Sequence, residues 1–281
     1  METALEPLLA WKSLAVAAWL VLFVLAERLH PAAPAPRPVP DEPSGGLARV
    51  ARNLGLWLAN VGLSPLVVLP LSLWASQQGT AWGLDWRPVW WGAWWGGWGG
   101  LLLDLLLLDF LIYWWHRANH EWGFLWRFHE VHHLDRFLDS TSALRFHFGE
   151  VLLSALARAV VIVVFAVPFT SVLVFEALVL MAAIFHHSNL ALPAGLERAL
   201  SRLVITPSIH WVHHHDRRVD TDSNYGTILS VWDPIFGTRN PMPRDPVMSI
   251  GVEGRNERPF LELLLWPFRA AAARRVTPVR H

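Results

Sequence analysis

The sequence HRANHEWGFLWRFHEVHH, which runs from residue 116 to residue 133, follows directly after a long apolar run. His116 and His120 are four residues apart, and so are His129 and His133, while His132 is three residues after His129. On a helix, residues at these spacings lie on one face with about 5–6 Å between their Cβ atoms. Each set could therefore close on a metal ion, and the stretch predicts a metal centre at the end of an apolar helix.

Two more histidine clusters lie downstream, at residues 186–187 and 210–215. The pattern His-x-x-His-His occurs at residues 129–133 and again at 210–214, and such a repeat is much rarer by chance than a lone histidine. Neutral imidazole binds first-row metals well, and the chain has no cysteine that could supply a thiolate. Two ions need about eight to ten ligands in all. The candidate ligands are His116, His120, His129, His132, His133, His187, His210, His213 and His214, with His147 as a tenth.

The composition predicts a membrane protein. Hydrophobic residues make up 53% of the 281 residues and charged residues only 16%, against about 25% charged in ordinary soluble domains. The formal net charge is zero with histidine neutral, so no nucleic-acid partner is indicated. The absence of cysteine excludes disulfides and a cysteine nucleophile.

Apolar stretches predict where the chain crosses the bilayer. Leu8–Ala26 is about long enough for a span, and we interpret it as a retained helix because Glu2 and Glu6 occupy the place of a basic signal-peptide segment. The Pro-rich residues His30–Ser44 predict an extended linker. A second span is expected at Leu47–Ala75, with distortions at its prolines.

Val89–Trp115 is the third predicted span, and it overlaps a tryptophan-rich segment that is typical of an interfacial belt. Asp104 and Asp109 lie inside the span, where a charge is costly, so both should face the protein interior. Asp109 lies seven residues before His116, two turns along the same face. We predict that it accepts a hydrogen bond from a ligating histidine, with an interhelical bond unrelated to metal as the alternative.

Phe148–Phe185 is almost wholly apolar and predicts two helices bent back on each other. The turn is expected at Pro168 and Thr170–Ser171. Arg158 and Glu176 lie about equally far from that turn, so they could pair at one depth. The predicted fold is all-α, with about three long membrane spans, this helical hairpin and a His-rich helical cap.

Basic residues predict that the cap is cytosolic. The connection before the second span carries Arg28, Arg37, Arg49 and Arg52, whereas the next connection carries only Arg87. The positive-inside rule then places every histidine group on the cytoplasmic side. We divide the chain into membrane spans and linker at residues 1–88, a catalytic domain at 89–240 and a C-terminal tail at 241–281.

Three functional classes fit histidine clusters at a membrane face. Iron with open coordination positions activates O₂ and cleaves inert C–H bonds, although zinc or manganese could use the same ligands. His129-Glu130-x-x-His133 also fits a zinc-protease motif with Glu130 as general base, but that site would leave most of the other histidines without a role. A non-catalytic metal-binding or transport protein is the third class, and a transporter should place its ligands at mid-membrane.

Several motifs together resemble the fatty acid hydroxylase and sterol desaturase superfamily. They are HRANH at 116–120, HEVHH at 129–133, TSALRFH at 141–147, HSN at 187–189, TPSIHWVHH at 206–214, NYG at 224–226 and WDPIFGT at 232–238. The resemblance covers about Asp109 to Thr238.

The resemblance implies an integral-membrane oxygenase that uses two iron ions and O₂ to hydroxylate or desaturate a lipid from the bilayer. It implies ligand roles for the eight histidines of the HRANH and two HEVHH-like motifs and for His187. His147 and Glu150 fall on an Arg-x-His-x-x-Glu stretch of the family and rank below them. Reducing equivalents are expected from a separate electron-donor protein.

Overall fold

In the computed structural model of the protein, residues 11–34, 46–82 and 87–269 are described, and this part of the chain contains helices but no β-strand. The α-helices are α1 (Lys12–Leu29), α2 (Gly46–Leu63), α3 (Leu69–Ala81), α4 (Val89–Ala93), α5 (Trp98–Glu121), α6 (Gly123–His133), α7 (Phe148–Val164), α8 (Phe169–His187), α9 (Ala194–Leu200), α10 (Pro207–His213), α11 (Arg218–Thr221), α12 (Trp232–Phe236) and α13 (Phe260–Leu265). Short 3₁₀ helices lie at Trp94–Gly97, Ser140–Leu144 and Trp266–Phe268. Residues 35–44 of the predicted linker and residues 270–281 of the predicted tail lie outside the described residues.

Three helical stretches are long and apolar enough to cross a membrane: Gly46–Gly79, α5 and α8. The first runs through α2 and α3, which a π-helical turn at Ser64–Val68 joins around Pro65. Proline lacks a backbone N–H, so the regular hydrogen-bond ladder breaks there, as predicted. The helix predicted over Leu8–Ala26 is observed as α1, which carries three charged residues and is not among the three.

Each of the three stretches has one end near the histidine clusters, and these ends meet at one side of the molecule. At the start of α2, Arg49 lies 2.9 Å from Asp135, just after α6. α5 ends one residue after His120, and α8 ends at His187. The predicted arrangement, in which no histidine cluster is stranded at the opposite ends of the spans, is therefore confirmed.

The predicted hairpin is formed by α7 and α8. Its turn lies at residues 165–168, three residues earlier than expected, because Pro168 caps α8 while Thr170 and Ser171 already lie within that helix. Arg158 and Glu176 approach to 3.5 Å across the hairpin, as predicted.

An apolar core holds the hairpin against the other spans. α3 packs closely along α7, and Gly79 allows this because a Cβ there would lie 2.9 Å from the Ala166 backbone. The core includes Ala75, Leu108, Ile162 and Phe175, which come from α3, α5, α7 and α8. Asp104 faces this interior, where it pairs with Arg87 and accepts a 2.7 Å hydrogen bond from Ser171.

Candidate metal centre

Local structure brings nine of the histidines together from several helices. α5 ends at Glu121, and Trp122 adopts an extended conformation that turns the chain into α6. α10 begins with Pro207, whose fixed φ and missing N–H suit a first helical position. His187 terminates α8, and His214 follows α10 directly. Four separate elements therefore deliver imidazoles to one place.

Nine histidines form two groups in which each residue offers one ligand atom within 4.8 Å of the others. The first group is His116, His120, His129, His133 and His213. The second is His132, His187, His210 and His214. These are the nine main candidates from the sequence, without His147.

The two His-x-x-His-His motifs contribute to the groups in opposite ways. In the first motif, His129 and His133 join the first group and His132 joins the second. In the repeat, the outer pair at residues 210 and 214 joins the second group, whereas His213 joins the first. The expectation that residues 129, 132 and 133 close on one ion is therefore wrong. Residues four apart stay aligned on a helix, whereas the middle residue turns toward the neighbouring group.

Distances within the groups fit shared metal ions. His187 Nε2 lies 3.0 Å from His132 Nε2 and 2.9 Å from His210 Nε2, and His210 Nε2 lies 3.0 Å from His214 Nε2. Two nitrogens about 2.0–2.1 Å from one ion and at right angles to each other are roughly 3.0 Å apart. His129 and His133 approach to 3.2 Å in the first group.

The two groups lie directly against each other. The His133 and His214 rings stack with centroids 4.2 Å apart, although they belong to different groups. Eight of the nine histidines are buried, and His116 is partly buried. The arrangement can therefore hold two neighbouring ions away from bulk water.

Five ring nitrogens point away from the groups and are fixed by acceptors. The Nδ1 contacts are His116 to Tyr225 O at 2.9 Å, His129 to Glu150 Oε1 at 2.7 Å, His132 to Arg145 O at 3.0 Å, His187 to Ala183 O at 2.8 Å and His213 to Ser223 O at 2.6 Å. An Nδ1–H that donates to such an acceptor leaves Nε2 unprotonated toward the metal. The backbone acceptors at residues 223 and 225 were not predicted from the sequence. The Asn-Tyr-Gly turn at residues 224–226 is the only sequence feature that marks their position.

Burial also favours the metal-binding form of these imidazoles. Desolvation lowers the pKa of His132, His133, His210 and His214 well below its ordinary value. It lowers the pKa of His213 to about 3. At neutral pH these rings are neutral, which is the state that binds a metal ion.

Comparison with known proteins supports the same reading of this region. A family model described as "Fatty acid hydroxylase" matches residues 101–238, which contain every histidine of both groups. Residues 101–238 are a domain of the fatty acid hydroxylase family.

Curated relatives of the chain carry the names of lipid enzymes. Ornithine lipid hydroxylase OlsE of Rhizobium tropici is 30% identical over 168 residues, which is 60% of this chain and 50% of OlsE. Alkylglycerol monooxygenase of Homo sapiens is 32% identical over 136 residues, which is 47% of this chain and 28% of the relative. The chain thus spans no more than half the length of these relatives. No solved structure gave a significant match.

Asp109 does not contact a histidine in this domain, so its predicted role as acceptor for a ligand is wrong. Its carboxylate accepts hydrogen bonds from the backbone N–H groups of Ile228 and Leu229, each at 3.2 Å, and from Trp232 Nε1 at 2.8 Å. The residue shares a helix face with His116, but its side chain reaches the loop that crosses that face. Asp109 therefore anchors the segment that follows Tyr225.

His147, the tenth candidate, lies outside both histidine groups. Its Nδ1 accepts from the Gly149 N–H at 2.9 Å and caps α7, and its Nε2 lies 3.1 Å from Leu264 O. Both nitrogens are used by the backbone. Glu150, three residues later, is the member of this stretch that reaches the centre, through His129.

A cavity of about 410 Å³ opens onto both histidine groups of the fatty acid hydroxylase domain. His116 and His129 from the first group and His132, His187 and His210 from the second form part of its wall. The rest of the wall is mostly apolar and comes from α2, α5, α7 and α8. An apolar molecule could therefore enter from among the spans and reach both groups.

Proposed function

We propose that this chain is a membrane di-iron oxygenase that uses O₂ to hydroxylate or desaturate a lipid. The observation that carries the proposal is the joint opening of two adjoining histidine groups onto one apolar cavity among the spans. The family match of residues 101–238 and the lipid-enzyme names of the relatives support it.

The first histidine group would hold one iron and the second group the other, which accounts for all nine imidazoles. Iron bound there would supply the O₂ activation needed to break an inert C–H bond. In hydroxylation one oxygen atom enters the lipid, and the other leaves as water after taking up two electrons and two protons. The chain's own part is to hold the lipid in the cavity, exclude bulk water and keep the rings oriented through acceptors such as Glu150.

We infer that the histidine groups face the cytoplasm, where a separate electron-donor protein could reach them. The distribution of arginines in the sequence supports this orientation by the positive-inside rule.

The zinc-protease alternative lacks support from Glu130. Its carboxylate accepts from Trp266 Nε1 at 2.9 Å and lies 3.3 Å from Arg255 Nε, so it is held within the cap. A general base must instead reach the metal-bound water. A metal transporter is likewise disfavoured, because the ligands from α5 and α8 lie at the ends of those helices rather than at their middles.

Metal analysis with lipid profiling tests the proposal. Protein purified in detergent should contain two iron ions per chain, and cells that express it should accumulate an oxidised lipid. His132→Ala should abolish that lipid, while His30→Ala, at an exposed histidine outside both groups, should not. One zinc per chain together with unchanged lipids would overturn the assignment.

A further inference from the structure

A charged cluster lies in the cavity wall away from the histidines. Arg158 of α7 and Glu176 of α8 approach to 3.5 Å, and Lys12 of α1 lies 3.6 Å from the other oxygen of Glu176. The side chains of Arg158 and Glu176 are only 21% and 17% exposed. Both residues line the cavity that opens onto the histidine groups.

The composition of this cluster favours an added anion. Among the described residues it holds two cations for a single carboxylate. Arg158 Nε is buried and has no hydrogen-bond acceptor among the described residues. Charges inside membrane helices are costly and commonly mark substrate sites. A guanidinium with a free donor suits a carboxylate or phosphate, whose oxygens match its fork of N–H groups.

The cluster is aligned with the metal centre along α7. Glu150, Ser154 and Arg158 follow one another at four-residue spacing on one face, and all three line the same cavity. Glu150 holds the ligand His129, so Arg158 lies about 12 Å farther along the helix axis. Arg158 and Ser154 also line a second cavity of about 480 Å³, so they stand where the two cavities adjoin.

We propose that Arg158 binds the oxyanion, a carboxylate or a phosphate, of the lipid substrate. The hydrocarbon chain of the lipid then lies along the cavity between Arg158 and the histidines. The distance from the anionic end determines which carbon is oxidised. This inference rests on the proposed function for the oxidation step, whereas the binding step stands without it. Arg158 is thus a substrate-binding residue that determines specificity.

Binding to the purified, iron-loaded protein in detergent tests the site without turnover. The probes are palmitate against methyl palmitate, and dipalmitoyl phosphatidic acid against dipalmitoylglycerol, so that the two pairs distinguish a carboxylate from a phosphate. One anionic probe should bind roughly tenfold more tightly than its neutral partner, as expected for a charge-assisted hydrogen bond. Arg158→Gln should remove this preference, and Arg158→Lys should keep part of it.

Two further variants separate recognition from a purely structural ion pair. Glu176→Gln should leave anion binding equal or tighter, because the competing carboxylate is gone. If the ion pair were purely structural, Arg158→Gln and Glu176→Gln would weaken binding equally. Arg198→Gln, at an exposed position on α9, is the matched control and should behave as the unmodified protein. Equal binding of anionic and neutral probes, or an anion preference that survives in Arg158→Gln, would overturn the proposal.

Product analysis distinguishes this inference from the proposed function. When the substrate chain is lengthened by two methylenes, the oxidised carbon should keep its number counted from the anionic end. A position fixed from the methyl end would contradict the proposal. Anion binding that depends on Arg158 without any oxidised product would leave the lipid site in place and reject the oxygenase. Oxidation that does not depend on Arg158 would reject the anion site and leave the oxygenase in place.

Discussion

Glu150 and His129 are joined by a hydrogen bond, with 2.7 Å between the carboxylate Oε1 and the imidazole Nδ1. The bond links the first turn of α7 to α6, and both side chains are buried. A carboxylate in this position fixes the ring and raises the basicity of the opposite nitrogen. The helical hairpin, which lines part of the cavity, is thereby tied to the first histidine group.

Glu150→Gln should lower metal affinity or activity by about 10–100-fold, because the amide is a weaker acceptor for the imidazole N–H. Iron retained after dialysis against a chelator measures the effect. Glu253→Gln, at an exposed turn, is the control. Unchanged iron retention in Glu150→Gln would show that the hydrogen bond does not support the ligand.

Asp109→Asn should lower the apparent Tm in detergent while leaving the metal count at two. The amide can accept with only one oxygen, so it cannot serve all three N–H donors that the carboxylate serves. Each lost hydrogen bond to a buried charge is worth about 1.5–3 kcal/mol. Trp232→Phe removes only the indole donor and should give a smaller loss. A loss of metal without a loss of stability would instead restore the ligand-supporting role.

The nine candidate ligands could be predicted from the sequence because helical spacing is a local property. His116 and His120 must share a face wherever α5 lies. The division into two groups was not predictable, because His132 and His133 are adjacent in sequence and belong to different groups. That division depends on how α6, α8 and α10 pack, which the spacing of residues does not encode.

The errors in the prediction have the same physical origin. Asp109 was assigned to a histidine on its own helix face, but its partners lie more than a hundred residues away in sequence. His147 has the residue type of a ligand and acts as a helix cap. The orientation of the spans, for which Arg49 was counted, stays a prediction, although Arg49 itself is buried in ion pairs with Asp135 and Asp139.

His147→Asn should leave two metal ions bound, because asparagine is a good N-cap and can accept from the Gly149 N–H. The contact with Leu264 O is lost, at a cost of about 1 kcal/mol in stability. His132→Ala, in contrast, should lose the ion of the second group and about half of the metal. Elemental analysis of the two purified variants makes the comparison. Metal loss in His147→Asn would return that residue to the ligand set.

Arg49→Met should destabilise the junction between α2 and the cap more than any change described above. Arg49 is 4% exposed and pairs with Asp135 and Asp139, so its removal leaves two carboxylates short of a counter-charge. Breaking such a buried pair costs about 3–5 kcal/mol. The apparent Tm in detergent should fall, and adding Asp135→Asn should recover part of the loss. Arg202→Met, at an exposed position, is the matched control.

Acidification gives a second measurement on Arg49→Met. Burial alone would raise the pKa of Asp135, but Arg49 and Arg145 outweigh it and hold the pKa below its usual value. The ionised carboxylate therefore stabilises the fold above the pKa of an unfolded aspartate, and this stability is lost as pH falls through the lowered folded value. Without Arg49 the folded pKa rises, so unfolding on acid titration should begin at a higher pH than in the unmodified protein. An unchanged acid midpoint together with an unchanged Tm would show that the ion pair contributes nothing to stability.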